Sequence, residues 1–326
     1  MVNGGEHGNE EEELVAVLTS PLSLDGESRS EYTSPNLMQR IFSLFKNVRP
    51  GSDLTRFSLP AIFNIPKSQL QCYGESVYCV NDDILSRCAN GGTPLERFTS
   101  VIAWSISMYR PFMFGVAPYN PILGETHYAS RGNLNVLLEQ VSHHPPVSAL
   151  HATNEKDNIE MIWCQYAIPK FQGTSIETRV LGKRELRLLN KGESYVMNSP
   201  NLVIKTVTIE DISNGKSTVI YTAKDVISSL KTPIVKDPKE LWSSESAVIW
   251  AKVNEGILSK SWDKANDAKR VIEEKERELA RSRMLKGETW VPKHFVLSSY
   301  KVNGELVWEV EPKNIKLTAA PIVVPL

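Results

Sequence analysis

The residues of this chain best suited to chemistry are two adjacent histidines braced by two prolines, His143-His144-Pro145-Pro146, at the end of the run Glu139-Gln140-Val141-Ser142. Imidazole titrates between about pH 5 and 8, so such a pair donates hydrogen bonds to an anion when charged and exchanges protons with a substrate. The prolines restrict the backbone, because a residue before proline is pushed into extended conformation and proline holds its own φ near about −65°. Adjacent side chains of an extended segment point to opposite faces, a poor arrangement for two ligands of one metal ion, and no metal site is expected. Nucleophilic catalysis would need an elbow such as GxSxG, which is absent, and Ser142 is too local to form a triad. Two readings of the pair remain: an anion cradle and a structurally satisfied turn.

A second group lies far along the chain. Lys269, Glu273 and Arg277 are spaced i, i+4 and i+8, which places them within one arc of about 80° on a helix. Ala265, Ala268, Ile272 and Leu279 mark a neighbouring apolar face, so the charged row runs along its border. Such a row is a solvated ion-pair ladder or, if it meets the histidines, a source of positive charge for an anion.

The elements that must bring these groups together can be read coarsely. Ser34 and Pro35 have the types of a helix cap and first residue, and Leu37, Met38, Ile41, Phe42, Leu44, Phe45 and Val48 follow at helical spacing until Arg49-Pro50-Gly51. This stripe is either a core-facing helix or a lid that touches membrane. Leu59 to Pro66 is broken by prolines and reads as extended chain, whereas Thr93 to Tyr109 reads as a helix buried on several sides. From Asn120 to about 231 short alternating stretches suggest an antiparallel sheet or barrel. Helices follow from about Ser244 to Lys286, stopped by Gly287, and a strand pair flanks Asn303-Gly304. The first 33 residues, acidic and then rich in Ser and Gly, are expected to be disordered.

Composition removes several classes. With 37 basic and 38 acidic residues the net charge is −1, without the basic excess of a general nucleic-acid binder. Cys72, Cys79, Cys88 and Cys164 form no CxxC pair and read as reduced cytosolic thiols. The amino terminus has no secretory pattern, Val2 excludes N-myristoylation, and no apolar run is long enough to span a bilayer. Contact with membrane is therefore expected to be peripheral.

The run Glu139 to Pro146 resembles the fingerprint of the oxysterol-binding-protein-related lipid transfer proteins, and Asn120-Pro121-Ile122-Leu123-Gly124-Glu125 matches a second motif of that family. The Lys269, Glu273, Arg277 row matches a third, and Gly287 to Lys293 looks most like the short plant members, which lack a pleckstrin-homology domain. The resemblance covers roughly residues 36 to 295 and implies an α+β fold: an incomplete antiparallel β-barrel-like sheet around an apolar tunnel, with an N-terminal lid helix and C-terminal helices. It implies one lipid-binding domain over 34–326, with lid and tunnel mouth about 34–70, helices about 81–110, sheet about 120–231, C-terminal helices about 244–286 and a tail from 287. In this family the cargo is a sterol or phosphatidylinositol 4-phosphate, exchanged between membranes without enzymatic activity and without a cofactor. Carried onto this chain, His143 and His144 would bind the phosphate, Asn120 the inositol-phosphate region, and Lys269 and Arg277 would add charge positioned by Glu273. Ile41, Phe42, Phe45 and Leu54 would form the lid and apolar lining. The implied setting is cytoplasmic, with peripheral association with the endoplasmic reticulum or other membranes and a protein partner at membrane contact sites.

Two departures accompany the resemblance. Many members carry a phosphate-contacting lysine where this chain has Ala117, which removes a charge-assisted contact of about 1.5 to 3 kcal/mol. After Asn198 to Lys205 the chain also passes directly to Thr206 to Asp211, where the family places several further strands. An unclosed barrel would expose strand edges, so a scaffold or membrane-associated regulator without a lipid cavity stands as the alternative to a carrier. A hydrolase using the histidines is the third reading, without a nucleophile to support it.

Overall fold

The computed structural model describes residues 14–22, 37–46, 48–52, 54, 58–80, 82–108, 115–173, 176–198, 206–211, 216–222, 231–302, 305–315 and 317–326. Helix α1 (Leu37–Phe45) is amphipathic, and Ser34 and Pro35, expected at its start, lie outside the described residues. Part of the segment expected to be extended forms one 3-10 turn, Ala61–Phe63, because three consecutive apolar residues turn inward and become buried. Strand β1 (Asn64–Ser68) then ends on a residue that starts helix α2 (Gln69–Tyr78), where the side chains of Ser68 and Gln71 satisfy each other's backbone N–H groups. The same device, Thr93 with Glu96, opens α4 (Pro94–Ser107) after α3 (Asp82–Asn90). Strand β2 (Ala117–Tyr119) returns to pair in parallel with β1.

An antiparallel meander follows: β3 (Thr126–Arg131), β4 (Leu134–His143), β5 (Pro146–Asn154) and β6 (Ile159–Phe171). Strand β6 is long enough to hold two neighbours on one side, β7 (Ile176–Leu181) through Tyr166–Phe171 and β8 (Lys183–Leu188) through Ile159–Trp163. Gly182 joins these two at φ +125°, and a Cβ there would lie 1.9 Å from the Cys164 carbonyl oxygen, so only glycine fits. Strand β9 (Glu193–Asn198) pairs with β8 and ends the sheet. Strands β10 (Thr206–Asp211) and β11 (Lys216–Thr222) form a separate hairpin.

The chain then contributes β12 (Ile234–Val235), helices α5 (Ser246–Ile249), α6 (Ala251–Leu258) and α7 (Trp262–Lys286), a hairpin of β13 (Phe295–Val302) and β14 (Glu305–Pro312), and β15 (Ile322–Val323). Gly287 ends α7 in the left-handed region as expected. The result is an α+β, barrel-like but open sheet of nine strands, ordered β12-β15-β3-β4-β5-β6-β8-β9 with β7 beside β6. One pairing departs from the antiparallel expectation, since β15 runs parallel to β3. The helices between them provide the long crossover that parallel pairing requires, and two residues in a proline-flanked tail carry no alternation from which to read a strand.

The two faces of the sheet bury separate cores. Leu138, Leu150, Met161, Trp163 and Leu186 pack with Leu70, Val77 and Trp104 from α2 and α4. Val141, Val147, Ala149 and Ile162, on the other face, are covered by Phe295 and Val310 of the C-terminal hairpin. A third cluster joins Tyr119 to Trp250, Ile257 and Ala265 beneath α6 and α7. Leu279, expected on the apolar face of α7, is exposed instead, because the packed stretch of that face ends with Ile272.

Residues 14–22, expected with the rest of the first 33 to be disordered, form an extended strap. Val17 N donates to Ala247 O at 3.0 Å, Leu22 N donates to the Glu75 carboxylate at 3.1 Å, and Lys67 Nζ donates to Thr19 O at 3.2 Å. Ala16 and Leu18 pack against the main core. The acidic run preceding Leu14 dominates the average composition and masks this short apolar segment.

Candidate functional site

Strand β4 delivers His143 to the end of the sheet, and the turn into β5, with a cis His144–Pro145 bond, brings the two imidazoles to 4.7 Å in an edge-to-face arrangement. His143 is half-buried and its Nδ1 lies 3.0 Å from the Pro121 carbonyl oxygen. A carbonyl only accepts, so Nδ1 carries the proton and Nε2 faces away from that bond as a lone pair in the neutral ring. Burial and the neighbouring His144 hold the His143 pKa below its ordinary 6.5, while the Pro121 carbonyl and the Glu273 carboxylate act in the opposite direction. Glu273 is thus an electrostatic neighbour of His143, which links α7 to the histidine turn.

The other sequence motif holds this arrangement from behind. Glu125 is fully buried and accepts hydrogen bonds from Ser68, Ser246 Oγ at 2.7 Å, Trp250 Nε1 at 2.9 Å and Ile122 N at 3.0 Å. Four donors surround a carboxylate whose pKa burial nevertheless raises. Gly124 N donates to Gln140 O and Gln140 N to Glu125 O, at 2.9 and 2.8 Å, which locks the loop after Asn120 to β4. Gly124 has φ +79°, and a Cβ there would lie 2.6 Å from the Trp290 ring. Pro121, whose carbonyl orients His143, is thereby fixed. Asn120, the preceding residue, is exposed beside it.

The α7 row has a more internal role than its spacing suggests. Lys269 is 7% exposed and donates to the Leu59 carbonyl and, at 3.0 Å, to Glu273. Glu273 also accepts from Ser58 Oγ at 2.7 Å and from Arg277 at 3.2 Å, and Asn266 Oδ1 accepts from Ala61 N at 2.8 Å. Lys269, Glu273 and Asn266 together clamp residues 58–61 to α7. Of the two cations in the row, Arg277 is the outward one, with its side chain 56% exposed. The roles of Ser58, Asn266 and Pro121 have no signal in the sequence, although Pro121 stands within the Asn120 to Glu125 motif. The Pro121 carbonyl has no side-chain signature, and Ser58 and Asn266 act only through their distance to segments far away in the chain.

Among the residues expected to form a lid, Phe45 stacks on Phe171 with ring centroids 4.9 Å apart, and Leu54 N donates to Pro169 O at 3.0 Å. The end of β6 therefore receives Phe45 of α1 and the backbone at Leu54. The side chains of Ile41 and Phe42, on the same helix, lie outside the described residues. An open groove of about 960 Å³ separates α1 from the start of α7, lined by Leu44, Pro60, Ile62 and Trp262 together with Arg40 and Lys264. The histidines do not line it. No cluster of three or more His, Cys, Asp or Glu side chains able to hold a metal occurs among the described residues, and no helix there is long and apolar enough to cross a membrane.

A family model described as oxysterol-binding protein matches residues 41–255. The chain is 42% identical over 378 positions to oxysterol-binding protein-related protein 4C of Arabidopsis thaliana, covering 95% of this chain and 99% of the relative. It is 41% identical over 376 positions to protein 4B of the same organism, with coverage of 94% and 97%. An alignment of 378 positions exceeds the 326 residues available, so protein 4C carries residues without a counterpart here. The fold resembles that of the Osh1 ORD domain in complex with ergosterol, with TM-score 0.62, 18% identity and 90% of each chain covered. It also resembles the Osh3 ORD in complex with PI(4)P from Saccharomyces cerevisiae, with TM-score 0.57, 21% identity and coverage of 89% of this chain and 93% of that one. The family model, the sequence identity and the shared fold agree: this chain belongs to the oxysterol-binding protein family, whose members bind and transfer lipids and are not enzymes.

Proposed function

We propose that this protein binds phosphatidylinositol 4-phosphate through the His143–His144 turn and carries it, or a sterol, between membranes. The observation that carries the reading is the convergence at one end of the sheet of His143, the Pro121 carbonyl beside Asn120, and Glu273 of the α7 row. A phosphate monoester needs several fixed donors. His143 and His144 supply them when protonated, Asn120 stands exposed next to Pro121, and Arg277 is the outward cation of the row. Lys269 reaches the headgroup only if it releases the Leu59 carbonyl, so its charge acts at the site mainly through Glu273. The apolar residues of the lid, Phe45 and Leu54 with Ile41 and Phe42 on the same segment, would shield an acyl chain or a sterol. Membrane contact is peripheral and the setting cytoplasmic, at the endoplasmic reticulum or another membrane, where a protein partner at contact sites would hold the membranes close.

Extraction of labelled phosphatidylinositol 4-phosphate from liposomes tests the site. His143→Ala combined with His144→Ala is expected to lower extraction at least about tenfold, the loss of one or two charge-assisted hydrogen bonds. Unchanged extraction by the double variant overturns the site assignment. A second reading is favoured by the open sheet. A scaffold that docks on membranes and holds no lipid would bind liposomes and extract nothing.

A further inference from the structure

We propose that the outer edge of β9 is a self-pairing surface through which two copies of this chain form a twofold dimer. Strand β9 is the last strand of the nine-stranded sheet, and no described strand pairs with its outer side. The next strands in the chain, β10 and β11, pair only with each other. A free edge presents a row of unpaired N–H and C=O groups, which proteins normally blunt with a short strand, a lysine, a proline or a bulge. The opposite end of the same sheet does this: β12 has two residues and stands between Pro233 and Lys236. The β9 sequence Glu-Ser-Tyr-Val-Met-Asn contains none of these devices and pairs with β8 over all six residues without a register shift.

The occupant follows from charge and side-chain matching. The only ionised side chain on β9 is Glu193, and it is already held by Arg97, by a short contact to one oxygen and at 2.9 Å from Nε to the other, and by the Tyr195 hydroxyl at 2.7 Å. Two β9 strands therefore approach without a bare like-charge pair. In a twofold antiparallel pairing centred on Val196, Val196 faces its own copy, Tyr195 faces Met197 and Ser194 faces Asn198, so residues set opposite one another share a face of the sheet and two β-branched side chains meet at the axis. Val196 is 59% exposed and ready for such a contact. Beside it, a groove of about 410 Å³ between α4 and β9, lined by Phe98, Val101, Ile102 and Met197, offers apolar surface that a second copy would cover. In such a twofold pairing the same edge serves as both partners, so a single surface is self-complementary.

Size-exclusion chromatography with light scattering, run on the full chain over a wide concentration range, tests the pairing. The wild type is expected to shift from monomer to dimer as concentration rises. Val196→Lys and Val196→Asp are expected to raise the dimer dissociation constant at least about tenfold, whereas Val219→Lys, at a similarly exposed valine on β11, leaves it unchanged. Hydrogen exchange on the wild type provides a check that needs no variant, because amides within Glu193–Asn198 should slow as dimer forms. A monomer at every concentration overturns the proposal, as does a dimer that Val196→Lys leaves intact or that Val219→Lys disperses equally. Slowed exchange at β9 only on addition of liposomes, with the chain still monomeric, assigns the edge to a lipid surface and overturns the dimer.

Discussion

With its Nδ1 proton held by the Pro121 carbonyl, a neutral His143 offers a phosphate oxygen only another lone pair at Nε2. Donation to an anion requires protonation of that nitrogen, so at the proposed site headgroup binding and proton uptake would be coupled at this residue. Burial keeps the free protein's His143 below its ordinary 6.5, which means the ring is neutral at neutral pH before the lipid arrives. A depressed histidine pKa makes the unfolded chain take up the proton first, so the folded state loses stability as pH falls below 6.5 through the folded value. A phosphate bound at the proposed site would reverse the balance by favouring the charged ring. Affinity for a short-chain phosphatidylinositol 4-phosphate, measured by calorimetry, should therefore gain relative to a His143→Gln variant as pH falls below 6.5. The protonation of the phosphate itself is common to both proteins and cancels in the ratio. Equal pH profiles for the two proteins would remove His143 from the site.

At the scale of elements, Glu139 and Gln140 of the sequence fingerprint act as fasteners. Glu139 is fully buried on β4, and its two oxygens accept Lys293 N at 2.7 Å and His294 N at 2.8 Å, which pins the start of β13 to the sheet. Replacing it with alanine removes the partner of two part-buried backbone donors, at a cost of about 1 to 3 kcal/mol. Glu139→Ala should accordingly speed hydrogen exchange across β13 and β14 more than across β3 and β5. A uniform change would mean that the hairpin is held by its apolar contacts, Phe295 and Val310, alone. The same scale explains what the sequence concealed. The α4 helix was legible because Thr93, Pro94 and Glu96 are a complete start signal. Helix α2 has an equal signal in Ser68 and Gln71, but it follows a proline-broken extended stretch and includes Gly74, so its periodicity is weak.

For the molecule as a whole, the question is whether an open sheet still holds a lipid. Protein 4C aligns over more positions than this chain contains, and the meander stops at β9. A carrier should retain lipid through gel filtration after incubation with liposomes that contain sterol and phosphatidylinositol 4-phosphate, at a stoichiometry approaching one lipid per chain. A docking protein should co-sediment with the same liposomes and emerge from the column empty. Mass spectrometry of the extracted protein fraction distinguishes the two, and an empty fraction overturns the carrier reading. The histidine variants then separate headgroup recognition from general membrane adhesion.

The chemistry of the histidine turn was written in the local sequence, because proline constrains its neighbours directly and imidazole carries its own proton equilibrium. The helix starts at Thr93, the stop at Gly287 and the final hairpin were legible for the same reason: caps and turns act over a few residues. Only the tertiary structure decided that Lys269 would clamp Leu59, that Pro121 would choose the His143 tautomer, and that residues 14–22 would cross to Ala247 and Glu75 as a strap. Each of these contacts joins groups distant in sequence, and the distance that makes a hydrogen bond in space leaves no mark on spacing along the chain. The open edge at β9 belongs to the same class, since a strand's alternation reveals its faces but not whether a neighbour arrives to pair with it.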